Sequence, residues 1–112
     1  MASRGWKGAM ADHEFRRDTS NRLTFEMSRV AAADYPTVSQ AVATAFSLTP
    51  DPATFLAGLD LVSMHFRRGD CAVELAWENW TGFMVIAKTP DADLLVREIG
   101  ACLLRSRWAS DH

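Results

Sequence analysis

The stretch from Leu61 to Lys88, LVSMHFRRGDCAVELAWENWTGFMVIAK, decides the fold. Val62, Met64 and Phe66 alternate with Ser63, His65 and Arg67, the period-2 pattern of a half-buried strand. Cys71, Val73, Leu75 and Trp77 repeat the pattern against Ala72, Glu74, Ala76 and Glu78. Between them Gly69-Asp70 supplies the glycine that a type II′ hairpin turn needs at its first central position. Closing the hairpin there pairs Arg68 with Cys71, Phe66 with Val73 and Met64 with Leu75. All the apolar side chains then fall on one face, which supports that register. Asn79-Trp80-Thr81-Gly82 starts with Asn and ends with Gly, as a type I turn with a following bulge prefers. This turn places Val85 opposite Trp77 and Ala87 opposite Leu75. The third strand, Phe83 to Lys88, is apolar on both faces.

Working outward, Thr89-Pro90-Asp91 opens a last helix with a cap residue, a first-turn proline and early acids. Its stripe is Leu95, Ile99, Cys102 and Leu103, broadened by Leu94 and Leu104. Upstream, Leu23, Phe25 and Met27 alternate as a strand, and Pro36 suits the first turn of a helix. Val38, Val42, Ala45 and Phe46 form that helix's apolar face. Thr49-Pro50-Asp51-Pro52 ends it, and a short helical turn over Ala53 to Ala57 follows, capped by Asp51 and stopped by Gly58. The expected order is β-α-α-β-β-β-α, an α+β fold. It has an antiparallel sheet of three to four strands with the helices packed on one face. The pattern leaves open whether the Leu23 strand joins the edge of the meander or pairs with a second chain.

Residues 22–108 form a single domain on this reading. Residues 1–21 carry no period and read as a tail, with Trp6 or Phe15 docking on the body. Within it, Gly8-Ala9-Met10-Ala11 resembles the remnant of a cleaved tag. Residues 109–112 are a C-terminal tail. The expected core is Phe25, Val38, Val42, Phe46, Val62, Met64, Phe66, Val73, Leu75, Trp77, Val85, Leu95, Ile99 and Leu103.

Composition narrows the function classes. Twelve Lys and Arg against fourteen Asp and Glu give a charge of −2, which offers no basic footprint for nucleic acid. No apolar run approaches the length of a membrane span, and no apolar leader is visible, so the expected location is cytoplasmic. Cys71 and Cys102 are too far apart in sequence for a metal motif and read as small core residues. The expectation is no metal and no cofactor.

Chemistry is sparse. In the Gly69-Asp70 register Glu74 lies opposite His65, a pair that could orient an imidazole as a general base. No nucleophile joins it, and an open sheet face lacks the concavity of an active site, so the ordinary reading is a cross-strand charge pair. Arg68-Gly69-Asp70 reads as a turn. The second sheet face mixes small and apolar residues with a few charges, unlike a fully solvated face. Trp80, Met84, Ile86 and Arg67 are the candidate contact residues on it. The reading is therefore a small binding or interaction protein, acting as a homodimer or on a protein partner through that face. The alternative is a small-molecule binder, or a minor enzyme, with a pocket between sheet and helices lined by Met64, Phe66, Trp77 and Phe83.

Overall fold

The computed structural model describes residues 13–110. Its α+β architecture has β1 at His13–Arg17, β2 at Leu23–Met27, α1 at Tyr35–Phe46 and β3 at Thr49–Ala57. β4 follows at Leu61–Arg68, β5 at Cys71–Glu78, β6 at Gly82–Ala87, α2 at Asp93–Leu104 and the short α3 at Arg107–Ser110. Single 3-10 turns, Ala32–Asp34 and Pro90–Ala92, lead into the two long helices. The sheet has six strands in the order β1-β2-β6-β5-β4-β3, every neighbouring pair antiparallel.

The β4–β5 hairpin has the register the alternation requires: Arg68 faces Cys71, Phe66 faces Val73 and Met64 faces Leu75. Gly69 has φ +62° while Asp70 is not in the left-handed region, which suits a type II′ turn. The next hairpin departs from expectation by two residues. Trp77 pairs with Phe83 and Leu75 with Val85, because a three-residue loop, Asn79 to Thr81, closes on the Glu78–Gly82 pair. Gly82 has φ +78°, and a methyl group there would lie 2.6 Å from Ser28 Cα. Only glycine meets both conditions. A two-residue slip leaves the faces unchanged, so the core is the one expected.

Other expectations are corrected. The sheet has six strands rather than three or four, and β1 folds within the stretch read as a tail. β2 joins the meander at β6, which the pattern had left open. Phe15 on β1 lies 4.9 Å from the Phe25 ring, centroid to centroid, which explains an aromatic at that position. The segment Ala53 to Ala57 is strand, not helix. Its prolines are tolerated because β3 is an edge strand, where missing N–H groups break no ladder. The pairing shifts between Asp51 and Leu56. Across that bulge Thr54 Oγ1 accepts the His65 N–H at 2.8 Å and donates to the Asp51 carbonyl at 2.7 Å, standing in for ladder bonds. The helix before it stops at Ser47, which takes the left-handed conformation with φ 56°. Leu94 and Leu104 point to solvent rather than into the core; α2 buries Leu95, Val96, Ile99, Gly100 and Leu103 instead.

Helices α1 and α2 lie on the same side of the sheet. Phe25, Val38, Val42, Phe66, Val73, Leu75, Val85, Leu95, Ile99 and Leu103 are buried there as expected. Phe46, Val62, Met64 and Trp77 are partly buried at the margins. Leu23, Met27, Val30, Tyr35, Leu48, Phe83 and Val96 extend the core. The Trp77 indole N–H donates to the Val30 carbonyl at 2.8 Å. Cys71 and Cys102 are free thiols and half-buried rather than fully inside. What was expected of residues 1–12 and 111–112, including Trp6 and the Gly8–Ala11 run, lies outside the described residues.

Candidate functional site

The molecule presents two distinctive surfaces, one on each side of the sheet. On the face that no helix of the described residues covers, the register sets out rows running across the strands. One row runs Arg16, Thr24, Ile86, Glu74, His65, Asp51. Next to it runs Glu26, Met84, Ala76, Ser63, Leu56. One step further, Leu61 sits opposite Glu78.

The first row is the charged half of the face. His65 Nε2 is 3.8 Å from Glu74 Oε1, and Lys88 Nζ is 3.5 Å from the same oxygen. Arg16 pairs with Glu26 at 3.5 Å. Glu74 is therefore flanked by two bases, with the Asp51 backbone position on the far side of His65. At 3.8 Å the His65–Glu74 contact is an ion pair when the ring is protonated, not a hydrogen bond that would fix a tautomer. This arrangement stabilises a sheet surface and presents no nucleophile. Cys71, at the hairpin tip, is held less acidic than an ordinary thiol by burial and by the neighbouring Asp91 carboxylate, the opposite of what a reactive cysteine requires.

The second half is apolar. Leu56 and Leu61 are exposed on the face itself, 60% and 41%, and Met84 is half-buried beside the small residues Ala76 and Ser63. The β3–β4 and β5–β6 turns meet at this end, where the Asn79 N–H donates to the Asp60 carbonyl at 3.0 Å. They carry Leu59, 101% exposed, and Trp80, 80% exposed. Of the four contact candidates, Trp80 and Met84 belong to this half. Ile86 lies at its seam with the charged row, and Arg67 sits at the far end of β4, about 20 Å away by strand rise. Leu56 and Leu59 were hidden from sequence reasoning because their segment carries two prolines and reads as a helical turn.

On the covered side there is a cleft between α1 and the outer strands β3 and β4, about 550 Å³ in volume. Its walls include Tyr35, Ser39, Phe55, Val62, Met64 and Phe66. Met64 and Phe66 line it as expected, whereas Trp77 and Phe83 lie elsewhere in the core. Tyr35 is buried and its hydroxyl donates to the Leu75 carbonyl at 2.6 Å. Burial raises the phenol pKa; the adjacent Ser39 hydroxyl works against this, and the negative charge of Glu74 adds to it. Ser39 Oγ lies beside the Tyr35 hydroxyl, the contact through which it lowers that pKa, but makes no hydrogen bond of good geometry among the described residues.

Among the described residues no three His, Cys, Asp or Glu side chains gather as a metal site would require, and no helix is long and apolar enough to cross a membrane. Compared with known proteins, the chain matches no family model, no curated protein and no solved structure.

Proposed function

We propose that this protein is a binding module that self-associates through the apolar half of the sheet face opposite its helices. One observation carries the reading: Leu56, Leu61 and Met84 lie together on that face, and Leu59 and Trp80 stand out from the turns at its edge. Exposed leucine is ordinary when scattered; grouped around a solvent-facing tryptophan it is the composition of an interface. A second copy of the chain is the occupant that best fits. Beside the patch Glu74 lies by Lys88 and His65, and Arg16 pairs with Glu26, while the Glu78 and Asp60 carboxylates flank Leu61. An apolar patch is complementary to itself about a two-fold axis.

Sedimentation over a concentration series tests this. The wild-type chain should form a dimer, and Leu61→Asp combined with Trp80→Ser should sediment as a monomer with its circular dichroism and thermal midpoint retained. A wild-type monomer at every concentration, or an unchanged dimer in the double variant, overturns the proposal.

A further inference from the structure

The cleft between α1 and β3–β4 is a second site, on the other side of the sheet from the apolar patch. At about 550 Å³ it falls in the size range of small-molecule pockets, and its walls are mostly apolar. Among the described residues no charged side chain lines it. Its polar groups are specific. Ser39 is 6% exposed and its hydroxyl makes no hydrogen bond of good geometry among the described residues, a state that buried polar atoms rarely occupy. The Tyr35 hydroxyl donates its hydrogen bond to the Leu75 carbonyl, so only its lone pairs remain to accept. At the mouth the Gln40 amide is tied to Thr44 Oγ1 at 3.2 Å, leaving the inner hydroxyls as the polar end of the cleft.

We propose that this cleft binds a neutral, largely apolar small molecule that carries one hydroxyl or carbonyl group, with that group hydrogen-bonded to Ser39 Oγ. The walls of Val62, Met64, Phe66 and Phe55 take the apolar body. Neutrality follows from the lining: a carboxylate or ammonium would enter a low-dielectric cleft with no counter-charge. The influence of Glu74 on Tyr35 is of the sign that opposes an anion.

The neutral fluorophore N-phenyl-1-naphthylamine, displaced by 1-decanol, decane or decanoate at pH 8, tests the proposal on the full chain. The fluorophore should brighten on binding, and 1-decanol should displace it at lower concentration than either decane or decanoate. Ser39→Ala should keep fluorophore binding but weaken 1-decanol roughly threefold to tenfold, the worth of one hydrogen bond. Ala43→Trp, which fills the cleft from α1, should abolish binding of both. Should Ala43→Trp fail to fold, Thr44→Trp blocks the exposed mouth in its place. The Leu61→Asp, Trp80→Ser variant should bind like the wild type, so the fate of the dimer and of the cleft can be read separately. No brightening, binding that survives both tryptophan variants, binding lost only in the open-face variant, or decanoate displacing as well as 1-decanol would each overturn the assignment.

Discussion

The two long helices cover the same side of one sheet, yet they seal it differently. Under α2, Val96 and Ile99 are fully buried, and Gly100 lets the helix approach so closely that a methyl group there would lie 2.5 Å from Phe15 Cζ and 2.9 Å from Phe25 Cδ1. Under α1, Val38 and Val42 pack as tightly, but Ser39, Ala43 and Thr44 face the outer strands with too little volume to fill the gap. β3 adds to the opening, since its bulge carries the edge of the sheet away from regular pairing. Side-chain volume at the helix–sheet seam therefore decides which half is structural core and which half is a cleft.

The largest effect should separate these halves. Phe25→Ala, in the sealed half, should cost about 3–5 kcal/mol in urea denaturation, the transfer term plus an unrelieved cavity. Phe66 is 4% exposed but borders the cleft. There the new void merges with an existing one and neighbours are freer to relax, so Phe66→Ala should cost at least about 1 kcal/mol less. Equal losses at the two sites would mean the halves are packed alike.

A smaller effect tests the closeness of α2. Gly100→Ala should destabilise by roughly 1–3 kcal/mol despite the better helix propensity of alanine, because the new methyl meets Phe25, which has no exposed side to move into. Stabilisation by this substitution would show that the α2 seam has room after all.

Legibility in sequence did not follow this division. Strand alternation and a turn glycine placed β4 against β5 with the correct pairs, because the period of side chains on a strand is two and a misplaced register would expose the core. The His65–Glu74 contact followed from the same register. The β5–β6 pairing was harder to read, since a slip of two residues keeps every apolar residue inside and loop length alone distinguishes the choices. β1 was invisible because its five residues, HEFRR, hold one apolar position. β3 was misread because Pro50 and Pro52 are breakers in a local reading, and their tolerance depends on β3 lying at an edge, a tertiary fact. The cleft was legible only in part: a pocket between sheet and helices with Met64 and Phe66 in its wall followed from their inward facing, but the small residues opposite them on α1 show only once the helix is placed.

The smallest predicted effect concerns the charge that ties the sealed half together. Asp93, at the start of α2, binds Arg17 of β1 through one carboxylate oxygen and accepts the Leu23 N–H of β2 at 3.3 Å through the other. The Arg17 hydrogen bond is the chief reason its pKa lies below the ordinary 3.8; the Leu23 N–H and the charges of Arg17 and Arg97 act in the same direction, against a desolvation that would raise it. A carboxyl more acidic in the folded chain than in the unfolded one stabilises the fold above the unfolded pKa, and that contribution fades as pH falls through the lowered native value. Both partners are partly solvated, with side-chain exposures of 42% for Arg17 and 30% for Asp93, so screening keeps the total small. Asp93→Asn should therefore cost about 0.5–1 kcal/mol at neutral pH, and the gap to wild type should narrow as the pH is lowered below 3.8. A gap that stayed constant down to the acid transition would assign the loss to altered packing at the start of α2, and β1 would then be held by the Phe15–Phe25 contact without help from this charge.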